Sequence, residues 1–268
     1  GLSTKGVNKN LRGSTTTFNY GDKQSFLSSL EQDTACVVME PCRNSQPDIP
    51  FLLEVRKHCN ERNIVLILDE CSSGFRENYG GLHLKLDIEP DLCMVGKAIA
   101  NGYALTAVFG TSEIMQSAQD TFISSTFWTE RLGPTAAIAC MNEMERLKSW
   151  KLIVNKGNYI KNKIFKLSKK YKINLKLNDS LSIINFKISG KYDHIVYKNY
   201  ISQEMLKKNF ICNDTIYVSV AHTKQIINKY LKEIELIFKK ISIYEKKEVL
   251  FSKLEQDISN VNFFNRLN

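Results

Sequence analysis

Residues 64–68, IVLIL, and Leu92–Val95, LCMV, are two short apolar runs set in polar surroundings. Each is too short to cross a membrane. Both are rich in branched side chains, the pattern of a strand buried on its two faces. Residues 35–39 form a third such run, stopped by Glu40-Pro41 because proline ends a ladder, and residues 105–110 form a fourth. Between the strands ending at Glu40 and Asp69, residues 49–60 place Phe51, Leu52, Val55 and Cys59 on one helical face. This predicts a crossover helix of the right-handed kind between parallel neighbours. Residues 23–30 predict a short helix ahead of the first strand, and residues 135–150 a longer one after the last.

From residue 151 the pattern changes. Helices are predicted over 152–171, 196–209 and 223–241, and strands over 173–177, 182–188 and 215–219. The whole reads as α/β, a mostly parallel sheet between helices in residues 1–150, followed by a small α+β unit in residues 151–268.

Two strands end on chemistry. One closes at Asp69-Glu70 and another at Gly96-Lys97, and ligands of open α/β sheets collect at the carboxyl ends of the strands. Pyridoxal 5'-phosphate suits such a pair: a carboxylate keeps its pyridine nitrogen protonated, and a lysine forms the Schiff base and then shuttles a proton. An apolar run closed by Asp-Glu also fits the magnesium-holding strand of ATPases, but that needs an upstream G-x-x-x-x-G-K-[ST] loop. The Gly96-Lys97 pair lies downstream, is followed by Ala98, and has Asp91 where the first glycine belongs. No G-x-G-x-x-G opens a helix, so a dinucleotide fold is excluded as well.

The wording carries more than the spacing. LILDE-x-x-SGFR, GG-x-H and PDL-x-x-x-GKAIANGY-x-L-x-AV-x-G follow in order over residues 66–110, and QEMLKK and YVS-x-AHT stand at residues 203–208 and 217–223. The chain resembles the class III pyridoxal-phosphate aminotransferases, in the branch similar to glutamate-1-semialdehyde aminomutase, from about residue 18 to 242. That resemblance implies a fold-type-I large domain with a small carboxyl-terminal domain, paired as a homodimer with sites at the interface. It implies amino-group transfer between small amino and keto substrates, with intramolecular transfer by an aminomutase as the alternative. It makes Lys97 the Schiff-base lysine and Asp69 the partner of the pyridine nitrogen. Cys71 stands where a valine usually packs on the cofactor ring, and Thr126 where a threonine reaches the phosphate of the neighbouring subunit. Ser72 replaces a larger residue that reaches the ring's phenolic oxygen in some relatives. Glu40 and Arg131 become candidates for the substrate side, each balanced against a plain strand-end acid or a surface ion pair. Arg76 is read as orienting the Asp69 region or capping a helix. His83 is read as a structural or rim histidine rather than a base, and His222 as a packing residue.

Composition narrows the rest. The formal net charge is +9, and residues 151–268 carry 23 Lys and Arg against 10 Asp and Glu. The lysines are spread over predicted helices without an aromatic groove, so nucleic acid is not expected as a partner, nor is a membrane. Seven cysteines, with no C-x-x-C pair, read as buried hydrophobes in a reducing cytoplasm, and no metal is expected. The chain opens on Gly1 rather than methionine, which suggests a cut-out or processed chain. The Ser/Gly-x-Thr-Glu-Ala turn that holds the phosphate in full-length relatives, and the aromatic that stacks on the ring, are not found in it. Either a separate polypeptide supplies them, or the chain is a truncated remnant acting as a structural subunit.

Overall fold

The computed structural model describes residues 6–42 and 46–255. Its first layer is a four-stranded sheet of β1 (Cys36–Met39), β2 (Val65–Asp69), β3 (Leu92–Val95) and β4 (Ala107–Gly110), paired in that order. β1, β2 and β3 run parallel, and β4 returns antiparallel on β3. The register sets Leu68 beside Met39 and Cys93, and Asp69 beside Met94.

Helix α1 (Lys23–Ser29) precedes β1, and α2 (Ile49–Glu61) joins β1 to β2. α2 starts where the Asp48 carboxylate accepts from the Phe51 amide, with Pro50 in the first turn, where its missing N–H costs nothing. Its predicted face, Phe51, Leu52, Val55 and Cys59, is buried in one cluster with Val37, Met39, Leu66 and Leu68. That cluster also takes Phe26 from α1, whose ring meets those of Phe18 and Phe51 edge-on.

The sheet departs from the expectation of strands buried on both faces. Val37, Met39, Leu66, Leu68, Cys93 and Val95 are buried, whereas the alternate positions Val38 and Val108 are half exposed, and Val65, Ile67 and Met94 are only partly covered. The described helices cover one side, and period-two alternation therefore leaves an apolar second side open.

Short helices α3 (His83–Leu86) and α4 (Ser112–Gln116) follow β2 and β4. The predicted helix over 135–150 is displaced: α5 spans Leu132–Leu147. Glu130 accepts from the amides of Leu132 and Gly133, so the helix opens ahead of Pro134, which sits in the first turn. Lys148, at φ +51°, then breaks the chain into α6 (Ser149–Lys170).

The remaining chain builds a second, antiparallel sheet of β5 (Leu175–Leu177), β6 (Ile183–Ile188) and β7 (Thr215–Tyr217), with α7 (His194–Leu206) and α8 (Lys224–Lys246). α8 runs further than the 223–241 expected, from the Thr223 hydroxyl cap on the Ile226 amide. α6, α7 and α8 bury Ile160, Ile164, Tyr197, Ile201, Ile234 and Phe238 against Ile184 and Phe186, a core distinct from those of the first sheet. No helix among the described residues is long and apolar enough to cross a membrane.

Leu68 is fully buried one residue before Asp69. Leu68→Ala should lower unfolding stability by about 2–5 kcal/mol, read as a fall in the urea midpoint at unchanged m-value.

Candidate active site

The site is assembled where β2 and β3 end. The Glu70 amide continues the ladder to the Met94 carbonyl at 2.8 Å, and the chain then turns back on itself. Asp69 Oδ1 accepts from the Cys71 amide at 2.9 Å, fixing the first step of that turn. The Gly74 amide donates to the Glu70 carbonyl at 2.8 Å. A Cβ at Gly74 would stand 2.7 Å from that carbonyl, so only glycine permits the closure. Phe75 follows at φ +60°, a conformation bulky residues rarely adopt.

Lys97 enters from β3. Gly96 packs its bare Cα against Thr106 and the Cys71 thiol, and Lys97 itself sits at φ +45°. Strained backbone of this kind persists only where surrounding structure enforces it, and it gathers at functional sites. Lys97 Nζ donates to Ser72 Oγ at 2.6 Å. Burial pushes the Cys71 thiol up, the Asp69 carboxylate adds to this by hydrogen bond and charge, Lys97 opposes it and Glu40 reinforces it. Cys71 thus stands between Asp69, which accepts from its amide, and the Gly96–Lys97 step packed on its thiol, with Glu40 at the end of the neighbouring β1. Glu40 and Ser72 also line a cleft with Glu77, Asn178, Ser182 and Tyr217, facing the second sheet.

Glu70 organises the turn from behind and is fully buried. Its Oε2 accepts from Ser73 Oγ at 2.8 Å and the Leu82 amide at 2.6 Å. Its Oε1 accepts from the His83 amide at 2.8 Å and from His83 Nδ1 at 2.7 Å, which assigns the ring proton to Nδ1. Burial drives the Glu70 pKa up, but the hydrogen bonds from the His83 ring and amide, the Leu82 amide and Ser73 outweigh it and leave the carboxyl below its ordinary range. Cys93 lies 3.8 Å from the same His83 nitrogen, its thiol pushed up to about 12 by burial and by the Glu70 charge. Glu70, His83 and Cys93 thus form a proton-bearing cluster whose carboxylate oxygens are already engaged. His83 begins the short helix α3 and is buried, in keeping with a structural histidine.

Thr126 and Arg131 are not drawn into this cluster. Thr126 is exposed in the segment ahead of α5, and Arg131 is exposed at the start of α5, where it lines a second cleft of about 790 Å³ with Arg76, Tyr103 and Tyr217. Arg76 neither caps a helix nor touches Asp69: its Nε donates to the Ser72 carbonyl at 2.8 Å and its guanidinium lies over the Tyr217 ring. His222 packs as expected, its Nδ1 accepting from the Ser219 amide. Sequence reasoning did not single out Glu70 or Glu77. For Glu70 the available sign was an acid directly behind a strand-end Asp; for Glu77, whose partners are more than 100 positions away, there was none.

Residues 10–190 match the family model of class-III aminotransferases. A glutamate-1-semialdehyde 2,1-aminomutase of Fusobacterium nucleatum is 29% identical, over 89% of this chain and 60% of its own length. A 3-aminobutyryl-CoA aminotransferase of Cloacimonas acidaminovorans is 36% identical, over 52% of this chain and 36% of its own. Among solved structures, the Sphingopyxis FumI protein in its PLP internal aldimine form superposes with TM-score 0.80 at 22% identity, over 90% of this chain and 59% of that one. A PLP-bound transaminase superposes at 0.79 and 19% identity, over 92% of this chain and 63% of that one. These two likenesses show the fold. The chain spans about three-fifths of the length of the aminomutase it matches.

Because the folded-state pKa of Glu70 is depressed, its stabilisation is present above the unfolded carboxylate value and is lost as pH falls through the folded one. Glu70→Gln should therefore unfold more readily at pH 7, by about 1–3 kcal/mol, and lose part of the wild type's acid sensitivity below pH 5. Urea midpoints across that range check both effects.

Proposed function

We propose, on the premise that the chain belongs to the class-III aminotransferase family, that it carries the lysine-bearing part of a pyridoxal 5'-phosphate-dependent transaminase site. The observation that supports this most directly is the convergence at one turn of an amine, a carboxylate and a small thiol from the ends of β2 and β3. Those groups fit the cofactor: an amine to hold it covalently, an acid for its ring nitrogen and a compact side chain between them. When bound, the cofactor supplies an electron sink that lets a proton leave the carbon bearing the amino group.

Lys97 would anchor the cofactor and, once displaced by the substrate amine, move that proton. The Ser72 hydroxyl holds its Nζ in place. Asp69, with one oxygen on the Cys71 amide, would turn the other to the pyridine nitrogen and favour its protonated state. Cys71 would pack on the ring. Thr126, away from the chain's own Lys97 cluster, suits a role toward the phosphate of a neighbouring copy, in a homodimer that exposed Phe127 and Trp128 beside it also favour. Glu40, on the cleft wall, and Arg131, on the second cleft, are assigned to the substrate side. The separate cores support a division into a cofactor-holding unit, residues 1–150, and a carboxyl-terminal unit, residues 151–268. Seven free thiols support a reducing, cytoplasmic setting.

The aminomutase relative, which spans most of this chain, favours intramolecular transfer as the second reading. Turnover that requires a separate keto acid selects transamination, and turnover without one selects the mutase.

Incubated with pyridoxal 5'-phosphate and reduced with borohydride, the protein should gain the mass of the reduced cofactor on the peptide containing Lys97, and Lys97→Ala should not. Full labelling of the Ala variant removes Lys97 from this role. Folded wild-type protein that develops no visible-range band with the cofactor points instead to a structural remnant.

A further inference from the structure

Two neighbouring side chains, Arg76 and Glu77, tie the Lys97 turn to the second sheet, and they do so from opposite directions. Glu77 Oε1 accepts from Ser180 Oγ and Ser182 Oγ, each at 2.8 Å, and from the amides of Leu181 and Ser182, each at 2.9 Å. All four donors belong to the turn that joins β5 to β6. Burial raises the Glu77 pKa, yet these bonds overcome it and keep the group anionic at neutral pH. Arg76 stands on the Tyr217 ring of β7, 5.6 Å from its centroid, and donates from Nε to the Ser72 carbonyl. Ser72 in turn receives the Lys97 amine.

The path is short and continuous: strand β7, Tyr217, Arg76, the Ser72 backbone, the Ser72 hydroxyl, Lys97 Nζ. Its second anchor is the Glu77 carboxylate in the β5–β6 turn. Between Glu70 and the first anchor, Arg76, lie only five residues, one of them, Phe75, held at positive φ. So short a segment, fastened at Ser73 by Glu70 and at Arg76 and Glu77 by the second sheet, has little freedom to move Ser72 independently.

We propose that Arg76, Glu77 and Tyr217 are positioning residues for Lys97: docking of the carboxyl-terminal sheet onto the 72–77 turn sets Ser72, and Ser72 sets the lysine amine. The inference deepens the reading of Lys97 as the cofactor-binding lysine and rests on it for its functional meaning. Its physical content is independent of the cofactor. With the clamp released, Lys97 loses its hydroxyl partner and its amine becomes more accessible.

The test is competitive labelling of the full chain with trace acetic anhydride, read peptide by peptide by mass spectrometry, with exposed Lys57 on α2 as internal reference. Ser72→Ala defines the released state. Glu77→Ala, which removes the acceptor, and Tyr217→Leu should raise Lys97 labelling relative to Lys57 by about threefold or more, the scale of one lost hydrogen bond, in the same direction as Ser72→Ala. Tyr217→Phe, which keeps the ring under Arg76, should stay at the wild-type value. If Glu77→Ala fails to fold by circular dichroism, the Ser180→Ala/Ser182→Ala pair removes the hydroxyl donors from the opposite side and should give the same rise. Folded Glu77→Ala or Ser-pair protein with wild-type Lys97 labelling overturns the proposal, as does a Ser72→Ala variant that leaves Lys97 unchanged. A borohydride adduct on Lys97 without a labelling response sinks the clamp alone. A labelling response without an adduct sinks the cofactor role and leaves the clamp standing.

Discussion

The structure depends on a buried carboxylate placed directly behind the acid that closes β2. Burying Glu70 completely is costly unless every lone pair finds a donor, and the chain supplies two amides, a hydroxyl and an imidazole N–H. Those donors come from Ser73, Leu82 and His83, so satisfying one charge forces residues 70–83 into a single closed turn. Asp69 is thereby held at the sheet edge and Ser72 is turned toward β3. A neutral side chain of similar size would fill the space without specifying the direction in which the turn runs.

The two positive-φ residues nearest the site have a common origin. Phe75 closes the Glu70 turn and Lys97 closes the β3 exit, and each follows a glycine: at Gly74 the Glu70 backbone comes closer than a Cβ would permit, and at Gly96 side chains pack tightly on the bare Cα. Gly74 meets the Glu70 carbonyl, and Gly96 meets Cys71 and Thr106. The strain at Lys97 is balanced locally, by the Gly96 contact below and the Ser72 hydroxyl above. An amine held in this way has lost much of the rotamer entropy that a surface lysine keeps, so less remains to be lost when it bonds a ligand.

Strands and the α2 face were legible because their signal is local: short unbroken apolar runs in β1 to β3, which show where the strands lie but not that one face stays open, and a one-sided stripe at Phe51, Leu52, Val55 and Cys59. The start of α5 was placed after Pro134, whereas the Glu130 carboxylate caps the Leu132 and Gly133 amides and lets the helix begin before the proline. The break between α5 and α6 falls on a lysine at positive φ, where sequence offers no glycine as a marker. At the site, Asp69 and Lys97 were legible as strand-end chemistry. Glu77, Arg76 and Tyr217 were not, since their meaning lies in contacts spanning more than 100 positions, and a charged pair on a loop carries no periodicity.

The half-covered sheet follows from the same logic. Parallel strands are stable when helices lie on both faces, and here the second face presents Val38, Val65, Ile67, Met94 and Val108. Burying a side chain of this size contributes on the order of 1.5–3 kcal/mol, so a row of them constitutes a substantial drive toward a further layer. Asp69 shares that face by strand alternation. A layer that settled there would cover apolar surface and also wall the acid off from water, where its charge acts more strongly on whatever it faces. On the other side α2 covers Val37, Met39, Leu66 and Leu68, whose side chains point away from Asp69, so the apolar packing that holds the strands and the acid at their end lie on opposite faces.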